Sequence, residues 1–297
     1  MDSDFLPSWT TIGGAPAGLP RSRLKVASTD GRRRPEDRTF IVAQGLRSWI
    51  EPFEMQRFQL LAGVLQARMI VVEVPGFGAA GTRLLADERR ALFAGDFSPL
   101  AARMLTAATS AIVDEAVPEL SFLGYSMGAS LTAAMANVAS AQGIAVEHLC
   151  LVEPVALRPW RIDELVTATR FENRLIDGYL ITNESFDGAV EPWDRRAGVS
   201  PATHRRRDLL FLAIALSRGG LTSELLSRSG GPRHIVVVRG YSSLLAHADP
   251  ATVLRQLRRD GATADELVVP GHHAFWHSLP AVNEMARRLR TMLDESH

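Results

Sequence analysis

The chain has 297 residues, with 33 basic and 33 acidic side chains, a formal charge of zero and 46% hydrophobic residues. Balanced charge argues against a nucleic-acid partner held by bulk phosphate attraction, so the arginine runs at 32–34 and 205–207 read as solvated local spots. No apolar run approaches the roughly 18 residues of a membrane span, which excludes a helical membrane protein.

The first 22 residues read either as a flexible arm or as a segment packed over an edge. Their acidic, polar start, MDSDFLPSWTT, does not have the form of a secretory signal. RLKVAST (23–29) is expected as an antiparallel edge strand. Six β-branched or apolar runs follow as main strands: 38–43, 67–74, 120–124, 147–153, 233–240 and 265–271. Between them, apolar residues at spacings of three and four predict helices near 54–66, 98–116, 127–142 and 250–260, with a last one near 281–294. Strands alternating with helices predict an α/β fold built on a mostly parallel, doubly wound sheet. Residues 155–231 break that rhythm, because two or three amphipathic helices there separate consecutive strands. The expected organisation is therefore a core of 1–154 and 232–297 with a helical cap at 155–231. Cys150, the only cysteine, sits in the apolar run HLCLVE, and with no internal disulfide possible the expected compartment is the cytoplasm.

Gly124-Tyr125-Ser126-Met127-Gly128 lies between an expected strand and an expected helix. A serine projecting its hydroxyl from such a sharp turn leaves no room for neighbouring side chains, which accounts for both glycines. Gln44-Gly45 follows the first main strand, and Pro75-Gly76-Phe77-Gly78 follows the second. The two glycines of that second loop lack the lysine and third glycine of a nucleotide loop. With these motifs in this order, the chain resembles the α/β-hydrolase family over 38–154 and 232–295. Gln44-Gly45 stands where the family often has His-Gly.

The resemblance implies that Ser126 is a nucleophile and that the backbone N–H groups of Met127 and of a residue near Leu46 form an oxyanion hole. It also implies a base late in the chain, commonly in Gly-x-His. In VVPGHHAFWHSLP (268–280) that spacing selects His273, with His272 as the alternative. His277 reads as structural or pocket-lining. The family's usual aspartate position, three residues after Gly240, is occupied by Ser243. Glu153, directly after the strand EHLCLVE, is similar to the acid of haloalkane dehalogenases, which is carried at the end of that preceding strand. Asp249 is the alternative acid, although before Pro250 it also reads as a helix cap. Glu153 has a plainer reading too, as a strand-end charge paired with Arg158 or Arg161.

The expected function is hydrolysis of a carboxylic ester or thioester with a lipophilic or medium-sized acyl group, through an acyl-enzyme on Ser126. Acyl transfer by the same nucleophile and a non-catalytic, hydrolase-like binding protein are the alternatives. Ser243 and Gln44 motivate the second of these. Among the aromatics of the cap (Trp160, Phe171, Tyr179, Phe186, Trp193, Phe211) and those beside His273 (Phe275, Trp276), the pocket is expected to use Trp160, Phe275 and Trp276. Arg158, Arg161 and Arg170 are placed to meet a carboxylate or phosphate tail. The partner is a small ester or thioester. No cofactor is expected, and no metal, because the histidines lack further ligands at metal-binding spacing.

Overall fold

A computed structural model of the chain describes residues 8–12, 24–30, 38–78, 81–112, 119–186, 205–226, 231–246 and 250–295. Among them, β1 (Ser8–Ile12), β2 (Val26–Asp30), β3 (Arg38–Ala43), β4 (Ala67–Val72), β5 (Glu119–Tyr125), β6 (Ala145–Val152), β7 (His234–Gly240) and β8 (Thr263–Val269) form one sheet, in the order β1-β2-β4-β3-β5-β6-β7-β8. The β1–β2 and β2–β4 pairs are antiparallel and every other pair is parallel. The edge strand is thus antiparallel as the sequence predicts, and residues 8–12 extend it by one more strand.

The central strands are apolar on both sides because helices cover both faces of the sheet. Ile41 and Ala43 of β3 face one core, which also holds Leu100, Leu131 and Leu254. Those three belong to α3 (Ser98–Thr109), α4 (Met127–Ala141) and α8 (Ala251–Arg259). Phe40 and Val42 face the other core, with Phe58 and Leu61 of α1 (Pro52–Leu65) and Met285 and Leu289 of α9 (Leu279–Glu295).

Several boundaries depart from expectation by two residues or more, among them the ends of β4, β8 and α3. β4 ends two residues early, at Val72, although Glu73 N–H still donates to Lys25 O at 2.9 Å in register with β2. β8 likewise ends at Val269, before Gly271 turns with φ 117°. α3 stops at Thr109, and residues 113–116 of its expected span lie outside the described residues. A further helix, α2 (Ala86–Ala94), was not anticipated, since ADERRALFA is short and mostly polar. Between β6 and β7 run α5 (Ile162–Ile181), a 3₁₀ turn at Thr182–Ser185, α6 (Arg206–Ser217) and α7 (Leu221–Leu226). No helix among the described residues is long and apolar enough to cross a membrane.

Candidate active site

Ser126 sits between β5 and α4 with φ 57° and ψ −116°, a conformation that costs of order 1–3 kcal/mol in a residue with a Cβ. The turn is held by Ser126 N–H donating to Val152 O at 2.8 Å, across to β6. Both flanking glycines are obligatory. A Cβ on Gly124 would collide with Gly128 O and Thr132 Oγ1, and one on Gly128 would collide with the carbonyl of Ala43. Gly45 approaches from the other side, where a Cβ would stand 3.3 Å from that of Ser126. The loop carrying Leu46 is therefore pressed against the serine, and Gln44 Nε2 braces it by donating to Trp49 O at 3.0 Å. Met127 is the first residue of α4, so its N–H belongs to the first turn, which has no intrahelical acceptor.

His273 opens a 3₁₀ turn at His273–His277, just beyond β8. Its Nε2 lies 3.1 Å from Ser126 Oγ and its Nδ1 lies 2.8 Å from Glu153 Oε2. The donors and acceptors match only if Nδ1 carries the proton, leaving Nε2 to accept from the serine hydroxyl. Glu153 is fully buried and, like Ser126, has a left-handed backbone (φ 54°), anchored by its N–H donating to Val238 O at 2.7 Å. Its side chain is well supplied with donors. Gly240 N–H bonds Oε1, while Ser243 Oγ donates to Oε2 at 2.5 Å. Ala246 N–H in turn donates to Ser243 Oγ at 3.0 Å, which directs the hydroxyl proton toward the carboxylate. The sequence marks Ser243 as the vacant acid position but gives no sign of this bond.

The other candidates are elsewhere. Arg158 and Arg161 do not reach Glu153, because each pairs locally, Arg158 with Glu164 and Arg161 with Asp163. His272 lies 3.9 Å from Glu172 and makes no bond to Ser126. Asp249 lies outside the described residues. No group of three or more potential metal ligands clusters among the described residues.

Ser126 and His273 open on a cavity of about 810 Å³, bounded by the loop after β3 and the start of α1, the inner side of α5, and Ala213, Leu216 and Leu245. The expected aromatic lining is corrected here. Trp276 and Phe275 are completely buried behind the histidine, Trp276 stacking on Tyr125 at 4.6 Å between centroids. Trp160 is also turned inward, its Nε1 donating to Val155 O at 2.8 Å and its outer face covered by Arg158. Trp193 lies outside the described residues. Of the three arginines, Arg170 alone lines the cavity, with Phe53 the one phenylalanine among its described walls.

The loop after β3 leads into a charged cluster at the start of α1. Arg57 and Glu54 form a buried ion pair at 2.5 Å, and the guanidinium also donates to Trp276 O at 2.9 Å. Burial pushes the Glu54 carboxyl up, against the pull of Arg57. Glu51, at the cavity wall, is pushed up to about 7, mainly by burial and further by Glu54. His277 is held well below the usual imidazole range by burial, with Arg57 and His273 acting in the same sense.

No protein-family model and no curated protein matches this sequence. Solved structures do. The chain is similar to the thioesterase domain from the curacin biosynthetic pathway (16% identity over 92% of this chain and 95% of that one, TM-score 0.52). It is similar to the RedJ thioesterase of the prodiginine pathway in Streptomyces coelicolor (17%, 86% and 89%, TM-score 0.53). It is likewise similar to an esterase from Pyrobaculum calidifontis (13%, 99% and 87%, TM-score 0.55). With its mostly parallel sheet, its strained strand-to-helix serine and alignments to these structures that cover most of its length, the chain has the α/β-hydrolase fold.

Proposed function

We propose that the protein is a serine hydrolase of carboxylic esters or thioesters. The observation that carries this reading is the continuous hydrogen-bond chain from Ser126 through His273 to a buried, left-handed Glu153. Ser126 Oγ attacks the substrate carbonyl as His273 Nε2 takes its proton, and Glu153 holds Nδ1–H and balances the imidazolium. The backbone N–H groups of Met127 and Leu46 receive the developing oxyanion. The imidazolium then protonates the departing alcohol or thiol. Water, deprotonated by the same nitrogen, releases the acid and restores Ser126.

Residues 155–231 act as a cap over the core formed by 1–154 and 232–297, since α5 supplies one wall of the cavity. Arg170, Asn173 and Asp177 line the cavity with exposed side chains, so water reaches its mouth and favours hydrolysis over acyl transfer. The thioesterase and esterase names of the similar structures agree with this chemistry. The non-catalytic reading loses its motive: Ser243 serves the carboxylate directly, and Gln44 braces the loop beside the serine.

The test is labelling by a fluorophosphonate alongside hydrolysis of a p-nitrophenyl ester. The unaltered chain is expected to label and to turn over. Ser126→Ala should do neither, and His273→Ala and Glu153→Gln should slow both by about 10³-fold or more. An unaltered chain that stays unlabelled for hours overturns the proposal.

A further inference from the structure

Glu172 lies on α5, is 2% exposed, and lines the same cavity as Ser126 and His273. Its Oε1 accepts the Leu244 N–H at 2.8 Å, whereas its Oε2 meets no donor among the described residues. The nearest cationic candidate, His272 Nδ1, stands 3.9 Å from the oxygen that is already satisfied, beyond hydrogen-bond range. A buried carboxylate oxygen without a donor is costly, and a carboxylate can only accept. Whatever completes it must bring N–H or O–H.

The surroundings narrow the choice. Val155, Leu165, Leu216 and Leu245 make the adjoining walls apolar, which suits an alkyl chain. The other charged groups facing the cavity do not neutralise Glu172. Arg47 and Arg170 are exposed at its mouth, Glu54 is already bound to Arg57, and Glu51 and Asp177 are themselves acidic. A charged donor gains more from a buried carboxylate than a neutral one does.

We propose that Glu172 Oε2 is a recognition point for a protonated amine carried on an apolar arm of the substrate. The inference deepens the hydrolase reading and rests on it for the ester itself.

Binding separates the two. In the Ser126→Ala chain, hexylammonium should bind about tenfold tighter than 1-hexanol by calorimetry at about pH 8, and Glu172→Gln should remove that preference. Equal affinities, no binding of either probe, or a preference that survives Glu172→Gln would each overturn the site. The comparison of the two probes needs no change at 172, so a poorly folded variant leaves the test intact. Fluorophosphonate labelling of the unaltered chain reports on the hydrolase reading alone: ammonium binding without labelling would sink that reading and keep the site, and labelling without ammonium preference would do the reverse.

Discussion

Ser243 and Glu153 come from the loops after two neighbouring strands, and Ser243 meets His273 only through Glu153. The Ser243 hydroxyl and the His273 ring share Glu153 Oε2, at 2.5 and 2.8 Å. Hydrogen bonds to charged groups contribute about 1.5–3 kcal/mol, so Ser243→Ala is expected to lower kcat by about tenfold with little change in KM. A Ser243→Ala enzyme with unchanged kcat would show that Glu153 is fixed by the Gly240 N–H alone. The same proximity makes the acid position exchangeable. An aspartate at 243 reaches one atom further than serine, toward His273 Nδ1. Glu153→Gln combined with Ser243→Asp should therefore recover about tenfold of the rate that Glu153→Gln loses, measured as p-nitrophenyl ester turnover. No recovery would mean that the left-handed turn at 153, and not the charge alone, orients the ring.

At the level of elements, the glycines divide sharply by what surrounds them. Gly128 brings the start of α4 against the end of β3, where a Cβ would enter the carbonyl of Ala43. Backbone cannot yield there as a flexible side chain would. Gly128→Ala is expected to cost more than about 4 kcal/mol in urea denaturation or to prevent folding outright. Gly63 in α1 and Gly178 in α5 have open space where a Cβ would go. Alanine at either position should stabilise the fold by about 0.5–1 kcal/mol by restricting the unfolded chain. A loss of stability at Gly178 would mean that α5 packs differently from its described position. Elements with a strong period were legible from sequence: β3 falls on residues 38–43 as expected, because an apolar run in a central parallel strand has few alternatives. α2 was not, since ADERRALFA carries little apolar periodicity and is secured from outside, by Glu88 to Arg103 and by Arg89 to Asp208.

On the scale of the whole molecule, the site collects at the carboxyl ends of β3, β5, β6, β7 and β8, where a parallel sheet brings distant loops together. Local motifs single out Ser126, His273 and Glu153, and the fold brings their side chains within hydrogen-bond reach of one another. The Ser243 contact spans 90 residues and Glu172 meets a loop 72 residues away, so neither leaves a mark in any short window. The aromatic lining was misjudged for a related reason: on the turn after His273, Phe275 and Trp276 point into the core behind the ring, a direction that only tertiary packing decides. That packing also has a consequence for stability against pH. Glu51 has its carboxyl raised from an ordinary value of 4.5 to about 7, chiefly by burial. A raised carboxyl binds more protons folded than unfolded between those two values. Its penalty is therefore absent below about pH 4.5, grows through that window, and is complete above about 7. Because the group is only partly buried, solvent screening reduces the full effect to about 1 kcal/mol. Glu51→Gln should thus raise stability by about that much at pH 8 and leave it unchanged at pH 4, as read from urea midpoints at the two values. An equal gain at both would trace the effect to packing and not to charge, and no gain at pH 8 would mean that Arg57 already compensates Glu51 in full.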